Sequence, residues 1–566
     1  MQDRPTFERS LTVRLIADRK LDKATAERAL RLRAEREERL EQILTKLGLA
    51  HEKDVTEAIS GELGLPLVAP GDFPDTPVLE IASPKFLREA QVLPLIDAPD
   101  RLVLAVADPL NEHPIRSLAL LAGKPVEIRV AAPSDIDIAY ERLYGGEKSS
   151  IGQIVDEIEE ASDGRADEDI KRLRDLASEA PVIRLVNLLI ARAIESRASD
   201  IHIEPFQNRL SVRYRVDGVL KEGATPPLRL RAAIVSRIKI MAKLNIAERR
   251  LPQDGRVRMT IRGRDYDLRV ATVPTLHGER VTMRILDRSS LVEDFALLGF
   301  QPDTLERYLE LLQHPQGILL VTGPTGSGKT TTLYTSLLRL NTPEKNIFTV
   351  EDPIEYQLDG VNQIQVKPQI NLTFAEILRT LLRHNPDIIM IGEMRDLETA
   401  QIAIQAALTG HLVLSTLHTN DAASSITRLL DMRVEDYLVT STLNGVMAQR
   451  LVRKLCTACR KPRHVLPEFV ERMGLARLLN GGGATLYEPV GCELCHGIGY
   501  RGQTAVIELL PISDAIRRLI LNHTEAREIQ RVAIEEGMRT MYQDGLLKVL
   551  DGTTTIEEVL RVTRDV

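Results

Sequence analysis

Residues Gly323, Pro324, Thr325, Gly326, Ser327, Gly328, Lys329 and Thr330 fit the pattern G-x-x-x-x-G-K-[ST], a spacing suited to the capture of phosphate. The glycines let the backbone turn tightly enough to aim successive N–H groups at phosphate oxygens. A helix opening behind the loop adds the positive end of its dipole. Lys329 is placed to meet the β and γ phosphates of ATP, the Thr330 hydroxyl to join the shell of a Mg2+ ion, and Thr331 completes the nucleotide-binding set. The loop follows an apolar run, Ile318 to Val321, and precedes KTTTLYTSLLRLN, which reads as a helix. Strand, loop and helix in that order are the context the pattern requires; the bland alternative is a glycine-rich turn with no ligand.

A cradle is not a hydrolase. The stretch DIIMIGEMRD reads as a buried strand, Ile388 to Ile391, ending in an acid pair whose first member is missing. Gly392 stands where an aspartate would join the magnesium shell, and only Glu393 remains to orient an attacking water. NIFTVEDPIEY ends another strand with Glu351 and Asp352, which parallel-sheet topology can bring to the same carboxyl edge as the loop. These two acids either supply the missing magnesium contact, directly or through water, or cap the following turn. HLVLSTLHTN ends in the same way, and His418 there either senses the γ-phosphate or caps a loop.

All four cysteines fall in two CxxC pairs, Cys456 with Cys459 and Cys492 with Cys495, separated by residues 460–491. Four thiolates suit tetrahedral Zn2+, and four protein ligands leave no open position for catalysis, so the site reads as structural. CELCH also matches c-type haem attachment. A second CxxC nearby and the lack of an export signal favour zinc, with His496 outside the ligand set.

Elements must position these groups. The chain has 566 residues, more than one hydrophobic core usually supports, and its 43% hydrophobic and 27% charged content is that of a globular protein. No apolar run approaches the roughly 18 residues of a membrane span, and the N-terminus, MQDRPTFERSLTVRL, lacks the apolar centre of a signal peptide. The expected location is the cytoplasm. A net charge of -7, 4% aromatic residues and no Trp argue against a nucleic-acid binder.

The expected fold is a multidomain α/β protein. Residues 1–145 hold a weak repeat, LIADRKLDKATAERAL and ILTKLGLAHEKDVTEAI, each reading as two short helices, followed by a pair of strands in LPLIDAPDRLVLAVADP. Residues 146–175 read as an acidic linker. Residues 176–292 open with the helix PVIRLVNLLIARAIESR and continue as strands SDIHIEPF, LSVRYRVDG, RVRMTIRGRDYDLRVATV and ERVTMRILD, an α+β domain. Residues 293–455 alternate strand and helix, which predicts a mostly parallel sheet covered on both faces. Residues 456–500 form the cysteine subdomain, and residues 501–566 a largely helical tail.

In their order and spacing, GPTGSGKTTTLY, TVEDPIEY, DIIMIGEMRD and GHLVLSTLHTNDA resemble the secretion superfamily of traffic ATPases, which includes type II secretion ATPases and type IV pilus motors. SDIHIEP, YRVDGVL, RIKIMAKLNIAERRLPQDGR and VPTLHGERV extend the likeness through the preceding domain, so that it covers residues 180–566 strongly and the N-terminal part weakly. Within the superfamily the chain looks most like the type II secretion branch, with pilus-assembly motors next. The resemblance implies a RecA-like ATPase core, a PAS-like α+β domain before it, and a strand ending Gly-Glu in place of Asp-Glu as the family's own form. It also implies a cytoplasmic homohexamer that powers pseudopilus assembly, with its N-terminal domain docked on a secretion platform at the inner membrane, and it supports zinc at the cysteines.

Four arginines match positions that the family uses around nucleotide: Arg379 and Arg383, four apart on one helix, and Arg269 and Arg284, on the polar face of strands. The second pair would serve a site shared between subunits. The alternative is exposed arginines in surface ion pairs. Some relatives bind cyclic di-GMP through paired RLGxxLVxxG repeats. Here Leu11, Thr12 and Val13 stand for Arg-Leu-Gly and Lys20 for the later glycine, which removes the close backbone approach a nucleotide needs. A docking domain is the expectation there. A nucleic-acid translocase and an ATP-binding scaffold without turnover are the competing classes.

Overall fold

The computed structural model describes residues 4–35, 38–69, 71–79, 82–144, 180–261, 264–287, 294–475, 478 and 485–563. The acidic stretch at 146–175 lies outside them. The chain forms two compact units, residues 1–289 and 290–566.

The first unit opens with helices Arg4–Ala17, Lys23–Glu35, Leu40–Lys46 and Glu52–Leu63, the two helix pairs that the repeat implies. Phe7, Leu11 and Leu15 recur every four residues and so line one face, which packs with Leu40, Leu44, Val55 and Ile59. A three-stranded sheet follows. Its strands β1 (Val92–Asp97) and β2 (Leu102–Val106) are antiparallel, and β3 (Val126–Val130) runs parallel to β2 after the helix Glu112–Ala122.

Helix Ala180–Glu195 then leads into β4 (Ala198–Pro205), β5 (Leu210–Val216), β6 (Val219–Glu222), β7 (Gln253–Ile261), β8 (Arg264–Thr275) and β9 (Gly278–Asp287). These make one antiparallel sheet in the order β6-β5-β4-β9-β8-β7. Alternate residues Ile201, Ile203, Leu268, Val270, Val281 and Met283 face the apolar side of helices Ala180–Glu195 and Arg231–Met241. RVRMTIRGRDYDLRVATV, one alternating run in the sequence, is a hairpin of β7 and β8 with Ile261 opposite Arg264. Alternation persists through the reversal, so period alone does not reveal where the chain folds back.

The second unit is built on β10 (Gly317–Thr322), β11 (Ile347–Glu351), β12 (Asn362–Gln365), β13 (Ile388–Ile391), β14 (Leu412–Leu417), β15 (Leu443–Leu455) and β18 (Tyr500–Pro511), in the order β12-β11-β13-β14-β10-β15-β18. All neighbours are parallel except β15 and β18. β16 (Lys461–His464) and β17 (Thr485–Glu488) pair antiparallel as a separate two-stranded sheet. Burial on both faces explains the continuous apolar strands. Ile318 and Leu320 of β10 meet Leu378, Ala403 and Ile426 on one side. Leu319 and Val321 meet Tyr308, Leu333 and Leu337 on the other.

The expected helical tail begins later than the sequence suggests. Tyr500–Pro511 is the long edge strand β18, paired with β15 from Gly445 opposite Pro511 to Leu455 opposite Tyr500. Helices Asp514–Leu521, Ala526–Glu535, Met541–Leu550 and Ile556–Thr563 follow. Among the described residues no helix is long and apolar enough to cross a membrane.

Candidate nucleotide site and tetracysteine cluster

Strand β10 is buried throughout and is followed by Gly323, whose φ of 144° lies in the region that favours glycine. A Cβ there would sit 2.5 Å from the Gln449 carbonyl oxygen and 2.7 Å from Ser327 Oγ, so only glycine lets the loop fold this tightly. The loop delivers the helix Lys329–Leu340 with its N-terminus toward the cradle. Lys329 is 8% exposed and donates through Nζ to the carbonyls of Gly323 (2.8 Å) and Pro324 (3.0 Å). Burial pulls its pKa down to about 8 against the opposing pull of Glu393, whose charge reaches it across the site. Ser327 Oγ is buried with no partner. A lysine held only by carbonyls at the mouth of an amide-lined loop fits a triphosphate.

The other groups arrive because parallel strands end on one edge. β13 carries Glu393 there, and the adjacent β14 carries His418: His418 Nε2 lies 3.2 Å from Glu393 Oε2, and Arg395 pairs with the other carboxylate oxygen. The Ser415 and Thr416 hydroxyls donate to the carbonyls of Ile391 (2.9 Å) and Gly392 (2.7 Å), which fixes the backbone before Glu393. At Gly392, an added Cβ would lie 3.3 Å from the Val350 carbonyl and 3.5 Å from Glu351 Cα. A side chain at this position would pack tightly against the Val350 carbonyl of β11.

Glu351 and Asp352 have different surroundings although adjacent. Glu351 is 3% exposed and accepts from the Tyr334 hydroxyl, Thr349 Oγ1 (2.6 Å) and Gln363 Nε2 (3.1 Å), with burial pushing its pKa up. Asp352 is exposed, and its charge is felt by Arg395. Arg379 pairs with Glu398 and lies 3.7 Å from Glu376. Arg383 follows the end of the helix Phe374–Leu381, in a turn, and its guanidinium donates to the Arg379 carbonyl (3.2 Å). The shared helix face expected for this pair is therefore a helix end and its turn.

Arg269 and Arg284 belong to the first unit and are direct cross-strand partners on β8 and β9. Their row continues with Arg256 opposite Arg269 on β7, Asp200 opposite Arg284 on β4 and Arg215 opposite Asp200 on β5. Arg284 Nε donates to Asp200 Oδ1 at 3.1 Å, and Arg215 lies 3.8 Å from Asp200 Oδ2. Like charges side by side on a sheet cost stability, and Asp200, in contact with Arg284 and Arg215, offsets part of that cost.

The four cysteine sulfurs lie within 4.8 Å of one another. Cys456 and Cys492 are 3.8 Å apart, Cys459 and Cys495 3.9 Å, and Cys492 and Cys495 3.7 Å. A tetrahedron with Zn–S bonds of about 2.3 Å has edges of about 3.8 Å. The fit extends to the surroundings, since the backbone N–H groups of Gly491, Cys492 and Gly499 donate to sulfur at 3.1–3.3 Å. His496 is not part of the cluster.

Reading by motif missed Arg395, Gln449, Arg256 and Arg215. Arg395 stood in the quoted stretch DIIMIGEMRD, two residues after Glu393. The other arginines become visible only when the sheet register aligns them.

Residues 175–561 match the family described as Type II/IV secretion system protein, and residues 63–150 match the MshEN domain. A protein named Type II secretion system protein E from Xanthomonas campestris pv. campestris is 55% identical over 558 residues, 97% of this chain and 98% of the relative. The type IV pilus assembly ATPase PilB of Myxococcus xanthus is 45% identical over 523 residues, 91% of this chain and 92% of its own length. In fold alone, 67% of this chain resembles the X-ray structure of the Legionella pneumophila ATPase DotB, 95% of which is covered, at 21% identity and a TM-score of 0.50.

Proposed function

The chain belongs to the type II/IV secretion ATPase family, and from that premise we propose that it works as a homohexamer that hydrolyses Mg-ATP to drive pseudopilus assembly in type II secretion. The observation that carries this reading is the convergence of Lys329, Glu393 and His418 at one carboxyl edge of the parallel sheet.

The loop amides and Lys329 hold the β and γ phosphates, with Gly323 to Thr331 as the cradle and the Thr330 hydroxyl toward the metal. Mg2+ offsets phosphate charge and orients the leaving group when bound. Glu393 orients the attacking water. His418 and Arg395, on its two oxygens, keep that carboxylate aimed. Glu351, enclosed by Tyr334, Thr349 and Gln363, holds β11 against the helix behind the loop, and exposed Asp352 is the acid free to meet the metal through water. Arg379, Arg383, Arg269 and Arg284 spread over the γ-phosphate charge, the latter pair reaching it in a closed ring. Closing on ATP and opening after hydrolysis turns chemistry into a stroke.

Zinc on Cys456, Cys459, Cys492 and Cys495 pins the excursion between β15 and β18. The N-terminal module docks the ring on a secretion platform at the cytoplasmic face of the inner membrane, so membrane association is through partners. A type IV pilus assembly motor is the second reading, favoured by the 45% identity to PilB.

Deleting the chain in its source cell and restoring wild type or Glu393→Gln separates the two. Exoproteins held in the periplasm with pili intact support secretion. Loss of pili with normal secretion assigns the chain to the pilus machine.

A further inference from the structure

Beneath the phosphate loop lies a buried amide that belongs to no nucleotide-binding motif. Gln449, on β15, is 1% exposed. Its Nε2 donates to the Ser327 carbonyl at 2.7 Å, and its Oε1 accepts from Thr332 Oγ1 at 2.9 Å. Both ends are therefore committed: one to the loop, the other to the helix that the loop opens.

We propose that Gln449 is a positioning residue for nucleotide binding, which fixes the orientation of the Ser327–Gly328 peptide. In a trans peptide the carbonyl and the N–H point in opposite directions. Anchoring the Ser327 carbonyl on Gln449 turns the Gly328 N–H away from the protein interior, toward the concave side where a phosphate is received. Were that peptide to rotate, a carbonyl oxygen would face the phosphate in place of a donor. The loop has two glycine positions of φ near or above +90° resting on the same residue. A Cβ on Gly328, at φ +89°, would lie 3.0 Å from Gln449 Nε2, and one on Gly323 would lie 2.5 Å from the Gln449 carbonyl oxygen. Such a backbone has many alternatives when unbound, and a fixed hydrogen bond removes the one most harmful to anion binding.

The amide is itself held. Ser336 Oγ donates to the Thr332 carbonyl (2.8 Å), and the Tyr308 hydroxyl lies 2.9 Å from Ser336 Oγ. Tyr308, Ser336, Thr332 and Gln449 are all buried. A side chain this enclosed with both ends satisfied keeps one rotamer, so its effect on the loop is constant.

The inference rests on the reading that this loop binds Mg-ATP. The test uses the full chain, with wild type and Lys329→Ala alongside. Gln449→Glu keeps side-chain length and the acceptor for Thr332 but sets an oxygen against the Ser327 carbonyl. Mg-ATP affinity is expected to fall about tenfold or more, the effect of losing a buried hydrogen bond and facing two acceptors. In the nucleotide-free chain, backbone amides 326–330 should exchange with solvent faster while those of β18 keep their wild-type rates. That split distinguishes positioning from a general loss of packing. Thr332→Val decides the matter if Gln449→Glu does not fold: it leaves Gln449 in place, frees Oε1, and should weaken Mg-ATP about threefold with the same local rise in exchange. Unchanged affinity and unchanged exchange in a folded variant overturn the proposal. A wild-type chain that binds no Mg-ATP, or Lys329→Ala that binds normally, overturns the functional reading and this inference with it.

Discussion

His418 Nε2 and Glu393 Oε2 are 3.2 Å apart, joining the ends of two adjacent parallel strands, β13 and β14. Glu393 is thereby tethered on one oxygen by His418 and on the other by Arg395. A carboxylate so held is aimed before substrate arrives, and the sites around it make separate predictions.

Lys329 gives a pH dependence. Burial lowers its pKa to about 8, so it is charged below that pH and neutral above it. A triphosphate favours the charged form, and binding above pH 8 must therefore take up a proton. ATP affinity measured by titration should be flat below about pH 7 and fall above pH 8 by up to roughly tenfold per pH unit. Lys329→Met should bind weakly with no such decline.

Glu508 predicts a stability that falls with rising pH. This carboxyl on β18 accepts from the backbone N–H groups of Ala422 (2.8 Å) and Met541 (3.2 Å), the first residues of two helices. Burial raises its pKa to about 7 from an ordinary carboxylate value. A raised folded pKa favours folding most fully below the unfolded pKa, and the benefit is lost as pH rises through 7. Thermal melts of wild type should drop between pH 5 and 8. Glu508→Gln should remove up to about 3 kcal/mol of that slope, the value of a shift of this size.

The cysteine cluster predicts a metal. Purified protein should carry about one zinc per chain, and Cys456→Ser with Cys492→Ser should carry about none. Hydrogen exchange should rise in residues 456–500 and in the helices Met541–Leu550 and Ile556–Thr563. Their Leu546, Val549, Ile556 and Val559 pack with Val470, Leu475 and Leu486 of the cysteine excursion.

The arginine row separates binding from turnover. Arg269→Ala or Arg284→Ala should leave ATP binding by the dissociated chain within about twofold, while lowering turnover of the assembled protein by about a hundredfold or more. Equal loss of both would place these residues in fold maintenance.

Much of this site is legible in the sequence, because the phosphate loop and the strand before Glu393 are local patterns. Gly323 to Thr330 declares itself by spacing, and Ile388 to Ile391 by an apolar run that only a doubly covered strand needs. What stays hidden depends on partners far along the chain. Gln449 meets Ser327 across 122 positions, inside a strand where a lone amide carries no period. Arg256 and Arg215 join Arg269 only through sheet register. Residues 501–511 read as the start of a helical tail because the strand they pair with, β15, lies on the far side of the cysteine excursion.

Turnover of Glu393→Gln shows whether this carboxylate positions the attacking water. ATP hydrolysis and ATP affinity would be measured on the same preparations of wild type and variant, with Mg2+ present. Hydrolysis is expected to fall by about a hundredfold or more while affinity stays within a few-fold, since the residue acts on water and not on the phosphates. Equal turnover in the two proteins would contradict this role and give the positioning of the attacking water to another group.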